Sequence, residues 1–189
     1  MTRTILSTIF GVLLICSPLE AAPVAYHLDR ASSTVSFEAE FGPDLITGTI
    51  PLDTADPTLD IDKVSNCNVA VQLDVSEAKA SFPFGAQALK GPKVLDAAAH
   101  PKMIFKSTSV RASGDGATVA GNLTIRGVTR PVALVAQIYR QKGTLVGDRS
   151  HLTVRLTGKV NRSDFGATGW SDMVDDEVRI IITARIEAE

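Results

Sequence analysis

Apolar and polar residues alternate along most of the chain. Val35, Phe37, Ala39 and Phe41 alternate with Ser36, Glu38 and Glu40, and Gly42-Pro43-Asp44 then turns the chain. Ile46, Gly48, Ile50 and Leu52 form the inward set of a second strand, and Asp53 to Asp62 reads as a polar connection containing Pro57. Cys67, Val69, Val71, Leu73 and Val75 make a third inward set, and Met103 with Phe105 a fourth. Ser113-Gly114-Asp115-Gly116 is a strong hairpin signal. Val119, Gly121, Leu123 and Ile125 follow it, then Val132, Leu134, Ala136 and Ile138. The last two sets run from Leu152 to Val160 and from Val178 to Ile186. A period of two with turn residues between runs is the mark of half-buried strands.

Each of these eight strands can bury one face and wet the other, as antiparallel strands do. Most gaps are too short for the crossovers that parallel strands need. The pattern predicts an all-β protein, an eight-stranded antiparallel up-and-down β-barrel, because closure removes exposed edges. A β-sandwich is the competing architecture. One segment interrupts the alternation. Ser76 to His100 is rich in Ala and carries Phe82-Pro83-Phe84 and Gly91-Pro92. It reads as a loop with a short helix around Gly85 to Lys90, serving as a lid, a plug over one barrel end, or both.

The first residues do not belong to this pattern. Arg3 precedes the apolar run Ile5 to Ile15, and Pro18, Ala21 and Ala22 follow. That order matches a signal peptide over residues 1–22, with an uncleaved anchor as the alternative. The mature domain then spans 23–189, with an oxidising, periplasmic destination and no integral membrane segment. Signal removal takes Cys16 and leaves Cys67 alone, so no internal disulfide is available. Cys67 reads as a small inward hydrophobe rather than a reactive thiol. The formal net charge of -2 lacks the basic footprint that nucleic acid or anionic lipid requires.

An eight-stranded barrel is either filled by its own side chains or holds one small ligand. The inward sets include Ala39, Gly48, Gly121, Ala136, Gly158 and Ala184, and aromatics make up 5% of the chain. Close packing then needs a ligand to fill the middle, a flattened barrel, or a taper of small against large residues. A cavity would be aliphatic and aromatic, suited to a hydrocarbon chain. Each buried methylene contributes roughly 0.8 kcal/mol.

No catalytic constellation emerges. His27, His100 and His151 lack metal-ligand spacing, and their clustering inside the barrel with an acidic residue is the condition for an enzymatic reading. Asp172, Asp175, Asp176 and Glu177 read as a solvated loop or, less simply, a calcium loop of unusual spacing. The chain is therefore expected to be a binder without catalytic activity, resident cofactor or metal.

Gly121-Asn-Leu-Thr-Ile-Arg-Gly-Val-Thr-Arg-Pro-Val132 closely resembles the signature of the YceI-like family of periplasmic proteins. Tyr26-His-Leu-Asp29, His100-Pro-Lys-Met-Ile-Phe-Lys-Ser107 and Asn161-Arg-Ser-Asp-Phe-Gly166 fit the same family, in order along the mature chain. The stretches Phe41 to Ile46 and Phe82 to Asp96 depart from its pattern. The resemblance implies a lipocalin-like barrel with a helix-bearing excursion that binds polyisoprenoids or similar amphiphilic lipids. It also implies, for some members, an accessory role in membrane redox or stress systems. The apparently outward Val135 and Ile181 could serve such a partner or a homodimer.

The residues expected to line a ligand are Phe37, Phe41, Val71, Leu73, Phe84 and Phe105. Leu123, Ile125, Leu134, Leu156, Phe165 and Trp170 complete the wall. Arg162 and Arg130 are the candidates for a headgroup such as pyrophosphate, where a forked guanidinium fits. The alternative is that both simply shape turns.

Overall fold

The computed structural model describes residues 24–82 and 84–189. The signal-peptide expectation for 1–22 lies outside them. Among the described residues no helix is long and apolar enough to cross a membrane.

Ten strands form one antiparallel sheet. They are β1 (Tyr26–Phe41), β2 (Asp44–Thr49), β3 (Leu52–Thr58), β4 (Asn68–Asp74) and β5 (Lys79–Ala80), then β6 (Lys102–Ser113), β7 (Gly116–Ile125), β8 (Val128–Arg140), β9 (His151–Asn161) and β10 (Val174–Ala188). One helix, α1 (Gly85–Lys90), lies in the excursion between β5 and β6. The spatial order is β3-β4-β6-β7-β8-β9-β10-β1-β2-β5.

The sheet curls until its ends meet. β2 leaves β1 at Ile50, whose N–H donates to the Val35 carbonyl at 3.0 Å. The chain continues directly into β3, which pairs with β4. Arg30 on β1 donates to the carbonyls of Leu52 and Asp53 and bridges the seam, where β1 and β3 share no ladder. All eight expected strands are present. β3 and the two-residue β5 are additional, and both have ladder partners on one side only. Pro57 sits in β3 opposite Val69. A terminal strand tolerates Pro because the missing N–H faces no neighbour, so the expected polar connection is a strand as far as Thr58.

Tight turns fix the register. Arg126 and Gly127 both have positive φ, 52° and 75°, and link Ile125 to its partner Val128. A two-residue hairpin of this hand matches the twist of its strands. The turn is therefore Arg126-Gly127, and Pro131 lies beyond it inside β8, opposite Asn122.

The glycines called inward follow the taper alternative rather than opening space for a ligand. A Cβ on Gly48 would fall on the Phe37 ring, one on Gly121 on the Phe105 ring, and one on Gly158 on Leu134. Each glycine seats a bulky neighbour against the wall. Small and large residues are thus matched across strands, as in a taper.

Candidate functional site

Two ends of the barrel must be distinguished. The first holds the β1–β2 turn, the β5–β6 excursion and the β9–β10 loop. The second holds the β6–β7 hairpin, the β3–β4 connection and the β8–β9 loop. At the first end Val75, Ala78, Leu95, Ala97 and Phe165 are buried together and close part of the opening. At the second, Tyr26, Leu152 and Ile186 are buried against Leu28, Leu59 and Ile61.

Between them lies a cavity of about 600 Å³. That volume falls within the roughly 300–1,000 Å³ of small-molecule sites. Its wall comes from every long strand. Phe37 on β1, Val71 and Leu73 on β4, and Phe105 on β6 contribute. So do Leu123 and Ile125 on β7, Leu134 on β8, Leu156 on β9, and Ile180 and Ile182 on β10. Several of these, including Phe37, Val71, Leu156 and Ile182, are only half-buried although they point inward. Their exposed area faces the cavity, so the side chains do not meet in the middle.

Few polar groups reach the wall, and Ser33, Cys67 and Arg162 among them are engaged. The Ser33 hydroxyl donates to the Asp29 carbonyl at 2.6 Å and accepts from the Arg185 N–H at 3.0 Å. Cys67 exchanges weak hydrogen bonds with the backbone of Asp60 at 3.3 and 3.4 Å. Burial pushes its thiol pKa up, which disfavours the thiolate. Among the described residues no buried side-chain nitrogen or oxygen lacks a partner.

Nine of the twelve expected lining residues border the cavity through regular strands or the plugged end; Phe165 is one, 2% exposed. Trp170 borders it too and is also 42% exposed, so it lies at the first mouth. Phe41 and Phe84 do not line the cavity. Phe41 is exposed at the end of β1. Phe84 caps α1 in the left-handed region, φ 60°, and stands 84% exposed. Alternation cannot predict that direction, because a left-handed residue breaks the period. Trp170 also has positive φ, 54°, and its carbonyl accepts from Met173 and Val174 at the start of β10. Such conformations cost about 1–3 kcal/mol and persist only where the surroundings enforce them.

The headgroup candidates fare differently from the wall. Arg130 is exposed on β8, away from the cavity, and donates from Nη1 to the Thr129 carbonyl at 3.3 Å. Arg162 does border the cavity. Its Nε donates to the Asp175 carbonyl, its Nη1 to those of Ala167 and Gly169, and its Nη2 to that of Val174, at 2.7–2.9 Å. Those four bonds occupy the fork that a pyrophosphate would need. Ser163 donates through its N–H and hydroxyl to the Asp176 carboxylate, holding that group below its ordinary pKa. The Asn161–Gly166 stretch therefore ties down the β9–β10 loop. Arg126 does similar work, donating to the carbonyls of Pro92 and Val94 at 2.7 and 2.9 Å.

The chemistry-bearing residues stay apart. His27 and His151 flank Glu187 on the outer face, at 3.3 and 4.0 Å. His100 packs against Gly127 at the opposite end. Glu177 pairs with Lys159 at 2.8 Å. Among the described residues no group of three or more His, Cys, Asp or Glu side chains is arranged to hold a metal ion.

A family model for the YceI-like domain matches residues 26–186. The chain belongs to the YceI-like family. Among YceI-like relatives, Protein YceI from Salmonella newport is 29% identical over 136 residues, which is 72% of this chain and 67% of that one. The crystal structure of BcnA from Burkholderia cenocepacia is similar with a TM-score of 0.75 at 21% identity, covering 84% of this chain and 99% of that chain. The YceI protein of Campylobacter jejuni gives a TM-score of 0.61 at 17% identity, over 100% of this chain and 99% of that one. These likenesses establish a shared YceI-like barrel fold.

Proposed function

We propose that this protein is an exported, periplasmic carrier that holds a polyisoprenoid or similar long-chain amphiphilic lipid inside its barrel and performs no catalysis. The observation that carries this reading is the cavity of about 600 Å³ walled by aliphatic and aromatic side chains. An apolar surface of that kind offers a hydrocarbon chain roughly 0.8 kcal/mol per buried methylene. It offers a sugar or nucleotide few groups to hydrogen-bond. Export is argued from the Arg3 to Ala22 pattern, and membership of the YceI-like family accords with the ligand class.

Displacement of a fluorescent long-chain probe tests the reading. Saturable uptake of about one probe per chain, competed by a polyprenol, is the expected result. Failure of any long-chain probe to bind would remove the proposal.

A second reading, an accessory protein of a membrane redox or stress system, is favoured by one observation. Val135 is 54% exposed on the outer face of β8, the same face as Tyr139 four residues on, and shares its cross-strand row with Thr157 and the half-buried Ile181. If this patch mediates association, Val135→Glu should abolish it while probe uptake survives.

A further inference from the structure

We infer that the mouth between the β1–β2 turn, the strand-to-helix segment before α1 and the β9–β10 loop docks on a zwitterionic phospholipid bilayer. This rests on the carrier reading and adds where cargo enters and leaves.

Large apolar side chains converge there from three separate segments. Phe41 stands on the first, Phe82 and Phe84 on the second, and Trp170 and Met173 on the third, all exposed. Backbone bonds hold the segments together. The Gly42 N–H donates to the Met173 carbonyl at 3.3 Å, and the Ser81 N–H to the Thr47 carbonyl at 2.8 Å. Phe82 and Trp170 both line the cavity and reach the surface. The exposed ring is therefore continuous with the cavity wall. Phe84 and Trp170 are also two of four non-glycine residues with positive φ among the described residues. The backbone thus holds two aromatics outward in conformations that bulky residues rarely adopt.

The surroundings choose the occupant. On and beside the three segments the acidic Asp44, Asp164, Asp172, Asp175, Asp176 and Glu177 outnumber the basic Lys79, Lys90, Lys93 and Arg162, so no basic field selects an anionic surface. The apolar groups stand on turns around an opening, with charges between them. Aromatics so placed fit the boundary between headgroups and acyl chains. A long-chain cargo dissolves in that layer and not in water. A second copy of this chain seated on the ring would instead seal the mouth.

Trp170 is the sole tryptophan, so its emission reports the mouth directly. The signal-free chain mixed with phosphatidylcholine vesicles should co-sediment and shift its emission to the blue, with little dependence on salt. Phe84→Ser with Met173→Ser should weaken vesicle partitioning by about tenfold or more. Neither side chain lines the cavity, so probe uptake should remain at the parent level, and circular dichroism checks the fold. Leu145→Ser with Val146→Ser removes a strongly exposed apolar pair at the opposite end and should leave partitioning unchanged. Absence of the blue shift, binding abolished by salt, equal loss in the Leu145/Val146 variant, or a shift traced by sedimentation to self-association would each overturn the proposal. Loss of probe uptake in the parent protein with vesicle binding intact would instead count against the carrier reading alone.

Discussion

Gly48 sits under the Phe37 ring and close to the Lys79 carbonyl, with no room for a side chain. Gly48→Ala should therefore push the ring or β5 away, at a cost of about 1–3 kcal/mol, typical of overpacking. Urea unfolding of the two proteins measures it, and equal midpoints would contradict the packing described. Asp74 has a different sensitivity. Its carboxylate accepts from the Ser76 hydroxyl and from Lys102, which lower its pKa from 3.8 to about 2. A depressed carboxyl contributes stability above its unfolded pKa and loses it as pH falls through the folded value. Asp74→Asn should flatten the loss of stability between pH 3.8 and about 2, read from thermal midpoints across that window.

The Asn161–Gly166 turn and the β9–β10 loop depend on one guanidinium. Arg162→Ala leaves four carbonyls to find new partners, and a cost of about 2–3 kcal/mol is expected. Any loss of probe affinity should be the same for a polyprenol and its diphosphate, since the fork is already occupied. Selective loss of the diphosphate would instead restore a headgroup role. Strand periods were legible because each long strand keeps one dry face, so all eight expected strands are present. β3 was hidden because Asp53, Asp56 and Pro57 look like a connection, and only its place at the end of the ladder permits them. The directions of Phe41 and Phe84 were hidden for a related reason. Period-two reasoning needs a regular ladder: the β1–β10 register shifts between Ala39 and Phe41, and Phe84 stands outside any strand with a left-handed backbone. The spent state of Arg162 required the fold, since its four acceptors lie five to thirteen residues away.

The barrel as a whole combines a taper with a void. Glycines seat Phe37, Phe105 and Leu134 on the wall, and the centre still stays open, because the facing side chains are mostly Val, Leu and Ile. Small inward residues suggested a cavity from sequence, yet the glycines among them are covered; the open space comes from the aliphatic rows instead. Filling that space should separate ligand capacity from folding. Leu156→Trp with Ile182→Phe should raise or preserve the melting temperature while lowering probe uptake by about tenfold or more, because added bulk takes the volume of the chain. A matched loss of both would mean that the interior is already filled. The most direct measurement is native mass spectrometry of the protein isolated from its own compartment without detergent, followed by organic extraction. The carrier account predicts one long-chain lipid per barrel in the parent and none in the filled variant. A bare protein in both, with no lipid in the extract, would contradict it.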